Sequence, residues 1–140
     1  MPPIVRLRRD HIDAMISHAL EDAPVECCGI LAAQDGEVVS IHRAKNTENS
    51  PYRFKIDPLQ YARLEERLTD EGAEVVGFYH SHTGSEARPS PTDIRMMGPL
   101  FGPPFVHFVI GVADREKPHA RVFHIGQNAA TEHEYELVDR

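Results

Sequence analysis

The sequence predicts an α/β protein, and three observations carry that reading. Short apolar runs suited to strands are interleaved with stretches whose apolar residues recur at helical spacing. Asp35-Gly36 separates two such runs as a hairpin turn. Asp57-Pro58 and Ser90-Pro91 each place a capping side chain before a proline, the signature of a helix start.

Composition narrows the class. A chain of 140 residues suits one compact domain, here taken as residues 1–140. Fifteen basic against 22 acidic residues give a net charge of -7, which argues against a nucleic-acid partner, because phosphate affinity rests on clustered cations. No apolar run approaches a membrane span, and Met1 to Asp10 has no apolar segment of a secretory signal, so no membrane association and a cytoplasmic location are expected. Cys27 and Cys28 are adjacent and point to opposite faces of a strand, so a bridge between them would be strained and they read as reduced thiols. The Cys-x-x-Cys, His-Glu-x-x-His and nucleobase-deaminase signatures are missing from the sequence.

In chain order, Ile4 to Leu7 suits a short strand, and Asp10 caps a helix over about His11 to Glu21. Ile12, Met15, Ile16, Ala19 and Leu20 form its apolar stripe, leaving His11 and His18 on or near the solvated side. Val25 to Ala33 reads as a strand, returning through Asp35-Gly36 to a partner over Glu37 to His42. Glu26 is an acid at the mouth of that apolar strand: either a strand-end charge in water or a buried general base. Tyr52 to Ile56 alternates as a further strand. The helix opened by Asp57-Pro58 runs to about Thr69, with Leu59, Tyr61, Leu64 and Leu68 as inward candidates. Ala73 to His82 is the central strand, Ile94 to Met97 a short helix, and Phe105 to Val112, Ala120 to Ile125 and Glu132 to Val138 are closing strands. His107, His119, His124 and His133 fall in no metal-like spacing and read as strand-face or loop residues. Cys28 reads as core packing.

The organising stretch is His80 to Asp93. An apolar run, Val75 to Tyr79, leads into two histidines one residue apart. Alternation along a strand turns His80 and His82 the same way, roughly 7 Å apart at Cα. Two such imidazoles can converge on one ion, with Asp93 returned by the loop as a third ligand; two nitrogens and one oxygen suit Zn²⁺ and leave a fourth position for water. The plainer alternatives stay open: polar residues at a sheet edge for the histidines, helix capping for Ser90 and Asp93. Zinc would acidify its water to a pKa of about 7. Glu26 could then act as base and acid, and the Ser90 hydroxyl could support an oxyanion. Together these describe amide hydrolysis.

His80-Ser81-His82, seven intervening residues, Ser90, two more and Asp93 resembles the JAMM (MPN+) motif of zinc isopeptidases. Pro24 to Leu31 is similar to the segment that carries that family's catalytic glutamate, and the resemblance extends over residues 4 to 125. It implies an MPN-type, cytidine-deaminase-like α/β/α sandwich around a mixed, curved sheet. It implies His80, His82 and Asp93 as zinc ligands, Glu26 as acid/base and Ser90 as oxyanion support. Within the family the chain resembles small prokaryotic stand-alone members, especially actinobacterial-type enzymes. Those remove cysteine from the C-terminal Gly-Gly of a ubiquitin-like sulfur-carrier protein; related members release such modifiers from lysine. The expected partner is therefore a carrier of that kind, and the expected state a monomer or homodimer. The chain has little room for the insertions with which eukaryotic deubiquitinases grip ubiquitin. An extended tail could pair as an added strand beside Tyr52 to Ile56 or the loop Thr83 to Arg88, with Arg53, Lys55 and Arg88 as candidate cations for a carboxylate. The competing readings are a non-catalytic scaffold of the same fold, against which the complete motif argues, and a metal-dependent hydrolase of another amide.

Overall fold

The computed structural model describes residues 4–138, so both ends of the 1–140 domain assignment, and Met1 to Pro3 of the segment inspected for a leader, lie outside the described residues. The elements are β1 (Val5–Leu7), α1 (Arg9–Asp22), β2 (Cys28–Gln34), β3 (Glu37–Ala44), α2 (Pro58–Asp70), β4 (Glu74–His82), α3 (Pro91–Met97), β5 (Val106–Gly111), β6 (His119–Ile125), β7 (Ala130–His133) and β8 (Tyr135–Leu137). The strands form one sheet in the order β7-β6-β5-β4-β2-β3-β1-β8. It is mixed: β4–β5, β1–β3 and β1–β8 are parallel, and the other pairs antiparallel. β7 and β8 lie at opposite ends of that order, yet only Glu134 separates them in sequence. Neighbouring Cα atoms are about 3.8 Å apart, so the two edges must approach each other and the sheet curls until nearly closed.

Helices cover both faces. Ile12, Met15 and Ala19 of α1 pack with Leu31, Tyr79 and Phe108 on one face. Leu64 and Leu68 of α2 and Met97 of α3 pack with Ile30, Phe78 and Ile125 on the other. Each large apolar side chain so buried contributes roughly 1.5–3 kcal/mol. β2 and β4 lie at the centre, and the six residues from Cys28 to Ala33 are all buried. Cys27 and Cys28 join opposite cores, as strand alternation requires, and both are free thiols. The Asp35-Gly36 turn has φ of 51° and 79°, the left-handed pair that a two-residue hairpin demands. No helix among the described residues is long and apolar enough to cross a membrane.

Five expectations are corrected. His11 and His18 are not solvated: they are 5% and 4% exposed. His11 Nδ1 accepts from the Arg8 N–H, so the helix starts at Arg9 rather than behind an Asp10 cap. His18 turns inward because the phenol of Tyr79 needs a partner under α1. Tyr52 to Ile56 forms no strand; only Ile56 bridges, to Asn46. The run Glu132 to Val138 breaks at Glu134 into β7 and β8. Leu59 is 55% exposed and not inward, whereas Leu64 and Leu68 are buried.

Candidate metal centre

β4 pairs antiparallel with β2, with Gly29 opposite Tyr79 and Cys28 opposite His80. Alternation puts Tyr79 toward α1 and Phe78, His80 and His82 toward the α2–α3 face. Gly29 is obligatory here, because a Cβ would come within 2.1 Å of the Tyr79 ring. Pairing continues before the start of β2: Ser81 N–H donates to the Cys27 carbonyl (3.1 Å) and Ser81 Oγ accepts from the Cys27 N–H (2.8 Å). That carries Glu26, two residues before Cys28, onto the face of His80 and His82. β2 itself begins at Cys28, so Glu26 precedes the regular strand instead of lying inside it.

The loop after β4 returns through Pro89 to α3. Ser90 is the N-cap of α3: its Oγ accepts from the Asp93 N–H (3.0 Å), and Asp93 Oδ2 accepts from the Ser90 N–H (2.9 Å). The capping reading therefore holds, and it aims Asp93 into the site. The same Oδ2 lies 2.9 Å from His80 Nε2 and 3.2 Å from His82 Nε2, and the two Nε2 atoms are 3.3 Å apart. One donor atom from each of Glu26, His80, His82 and Asp93 falls within 4.8 Å of all the others. The four residues are 3%, 2%, 4% and 0% exposed.

The donor set fits a cation. His82 Nδ1 is 2.7 Å from the Glu86 carbonyl, so it carries the proton and leaves the Nε2 lone pair facing inward. In that tautomer the Nε2 lone pair and the Asp93 oxygen face the same point, 3.2 Å apart. Glu26 Oε1 and Asp93 Oδ1 are also buried without a hydrogen-bond partner. Donors around a tetrahedral ion at 2.0–2.1 Å lie roughly 3.3 Å apart, close to the three edges found here. Phe54 stacks on the His80 ring, with centroids 4.3 Å apart.

Electrostatics divide the two acids. Burial pushes the Glu26 carboxyl up to about 8; His82 opposes the shift and Asp93 adds to it. Burial also acts to raise Asp93, but His80, His82 and the Ser90 N–H outweigh it and hold that carboxyl far below its ordinary range. Burial lowers His82, yet its bonds to Asp93 and the Glu86 carbonyl reverse this, leaving it raised. Asp93 is thus held ionised, whereas burial favours the protonated form of Glu26.

All five residues selected from the sequence meet at this one place. Arg53, Lys55 and Arg88 are exposed, and Arg53 lies 3.6 Å from Glu48. Three supporting groups have no clear signature in the sequence: Ser81 lies inside the motif, Phe54 lies in an alternating run that suits a strand, and Asn46 has no local signal. His107 is a buried strand-face residue, 2.8 Å from the Phe101 carbonyl.

Residues 8–125 match the family described as prokaryotic homologs of the JAB domain. The chain is 31% identical over 140 residues to the CysO-cysteine peptidase of Mycobacterium tuberculosis, covering 98% of this chain and 93% of that protein. It is 31% identical over 93 residues to a probable TtuB-protein conjugate cleaving protease of Thermus thermophilus, covering 66% of this chain and 62% of the relative. Protein DSY2949 of Desulfitobacterium hafniense superposes with a TM-score of 0.86 at 28% identity, over 98% and 94% of the two chains. AF2198, a JAB1/MPN domain protein of Archaeoglobus fulgidus, shares the fold with a TM-score of 0.65 at 16% identity, over 97% and 99%. The curled mixed sheet with helices on both faces is that architecture, and the chain is a small prokaryotic member of the JAB (JAMM/MPN) family.

Proposed function

We propose that this protein is a zinc-dependent peptidase or isopeptidase that hydrolyses the bond after the C-terminal Gly-Gly of a ubiquitin-like sulfur-carrier protein, releasing cysteine or a lysine-linked adduct. The observation that carries the reading is the convergence of His80 Nε2, His82 Nε2 and Asp93 Oδ2 at 2.9–3.3 Å, with the Glu26 carboxyl beside them. The peptidase and conjugate-cleaving protease among the relatives support the substrate class.

His80, His82 and Asp93 would hold the ion. Bound zinc supplies Lewis acidity at the scissile carbonyl and lowers the pKa of water to about 7. Glu26 takes the proton from water as its oxygen attacks the glycine carbonyl carbon, then gives that proton to the departing amine as the C–N bond breaks. Burial near His82 and Asp93 suits both halves, because a carboxyl raised to about 8 can hold the proton between the two steps. The Ser90 hydroxyl uses one lone pair for the Asp93 N–H, so its own hydrogen remains to donate to the carbonyl oxygen as charge develops there. Glu86, through its carbonyl, fixes the His82 tautomer. A cytoplasmic location is part of this proposal.

The test is direct. A ubiquitin-like sulfur-carrier protein ending in Gly-Gly-Cys, and the same carrier joined to a lysine side chain, are incubated with the zinc-loaded enzyme and the products weighed. Loss of the group after Gly-Gly from either substrate is expected. Intact substrates with zinc bound would overturn the substrate assignment and leave the hydrolase of another amide.

A further inference from the structure

Glu26 precedes β2, so the strand ladder does not fix its peptide groups. A loop does this instead. The Glu26 N–H donates to the Ser50 carbonyl (2.9 Å), and the Glu26 carbonyl accepts from Asn46 Nδ2 (3.0 Å). Asn46 is 9% exposed. Its Nδ2 also donates to the Arg53 carbonyl (3.0 Å), while its Oδ1 accepts from the N–H groups of Glu48 (3.0 Å) and Lys55 (3.1 Å). Both donor hydrogens and both acceptor lone pairs of the amide are thereby used. The orientation is unambiguous, since a flipped amide would set its oxygen against two carbonyls and its NH₂ against two N–H donors. Arg53 and Lys55 flank Phe54, the ring stacked on His80. One buried amide therefore joins the backbone of the acid/base candidate to the loop that braces a ligand candidate.

We propose that Asn46 is a positioning residue: its side-chain amide holds Glu26 over the His80–His82–Asp93 triangle. The inference rests on the catalytic reading of Glu26 given above. Asn46 touches none of the three ligand candidates in this bonding pattern, so its loss displaces the acid/base group and leaves the metal triangle in place. Misplacing a catalytic group by about 1 Å costs on the order of 10²-fold in rate.

The experiment uses the full chain loaded with zinc and the carrier ending in Gly-Gly-Cys as probe. Asn46→Ala and Asn46→Asp are assayed beside Glu26→Gln and the Glu26→Gln/Asn46→Ala double variant. Asn46→Asp keeps an oxygen for the Glu48 and Lys55 N–H groups, so two of the loop's bonds remain, but it loses the donor to the Glu26 and Arg53 carbonyls. The expected result is a kcat lowered roughly 10- to 100-fold in both single variants, with KM within about twofold and one zinc retained. In the Glu26→Gln background, Asn46→Ala is expected to add no more than about a twofold loss, because the residue acts through Glu26. A kcat within twofold of wild type in both Asn46 variants, or the same fractional loss in both backgrounds, overturns the positioning role. Loss of zinc in both Asn46 variants also overturns it, since the triangle would then depend on the amide. Full activity in Glu26→Gln overturns the reading beneath it instead, and is distinguished by that variant alone.

Discussion

Tyr79 and His80 are neighbours on β4, and each belongs to a buried polar cluster containing histidine, on opposite faces of the sheet. On the α1 face, His18 Nδ1 is 2.7 Å from the Tyr79 hydroxyl and His18 Nε2 is 3.1 Å from Asp22. A neutral imidazole completes that chain: Nε2–H donates to the carboxylate and Nδ1 accepts from the phenol. On the other face, Nε2 of His80, Nε2 of His82 and Oδ2 of Asp93 converge, and Oδ1 of Asp93 and Oε1 of Glu26 have no partner. The first cluster is satisfied by its own hydrogens; the second brings four donor atoms together that could hold a cation. Burial of histidine is common to both, so burial does not distinguish a ligand. The balance of lone pairs against hydrogens does.

The largest effect separates the clusters outright. His82→Ala should reduce hydrolysis of the carrier ending in Gly-Gly-Cys to the rate without enzyme. His18→Ala should leave the rate nearly unchanged and lower stability by about 1–3 kcal/mol, because the Tyr79 hydroxyl and Asp22 lose their buried partner. Equal loss of activity in the two variants, measured at matched folded fractions, would erase the contrast. Next in size is Glu26→Gln, which keeps shape and removes the titrating proton. Its kcat should fall by roughly 10²- to 10⁴-fold with the metal retained. Turnover at the wild-type rate would remove Glu26 from the chemistry.

Ser90→Ala sharpens the picture, because Ser90 serves both structure and site. Losing an oxyanion donor costs about 10²–10³ in kcat, and losing an N-cap about 1 kcal/mol of stability. Kinetics and unfolding measured on one preparation should show both. A stability loss with unchanged kcat would reduce Ser90 to a cap.

The smallest effect is on pH dependence, and the clusters should move in opposite directions. In chelated protein, the raised Glu26 contributes stability that is fully present below its ordinary value near 4.5 and is lost as pH rises toward about 8. His82, also raised, loses its contribution in the same direction. His18 is lowered by burial, so its contribution is present above the ordinary histidine range and lost as pH falls. Unfolding free energies from urea titrations across pH 5 to 8 should therefore decline less steeply for Glu26→Gln than for wild type, by on the order of a few kcal/mol over the range. Parallel curves would contradict the buried, proton-holding Glu26.

Much of this was legible in the residues. Alternation along Val75 to His82 put both imidazoles on one face, and Ser90-Pro91-Thr92-Asp93 announced a helix start whose capping acid is also a site residue. Asp35-Gly36 fixed the β2–β3 hairpin. What escaped depends on distant partners. Tyr52 to Ile56 alternates like a strand, but Asn46 takes the hydrogen-bonding positions that a neighbouring strand would need. His18 belongs with the polar side by local periodicity, and only the Tyr79 hydroxyl draws it in. The run before Val138 looks continuous, yet curling of the sheet sends its halves to opposite edges. Local pattern reports which face a side chain takes; it does not report what waits on that face.

The central claim is that the inward lone pairs of His80, His82 and Asp93 hold one divalent cation, while His18 holds none. Metal content of wild-type, His82→Ala and His18→Ala proteins, purified alike and equilibrated with zinc before desalting, tests it most directly. The account predicts one zinc per chain in wild type and His18→Ala, and essentially none in His82→Ala. Equal zinc in wild type and His82→Ala, or none in wild type, would contradict it.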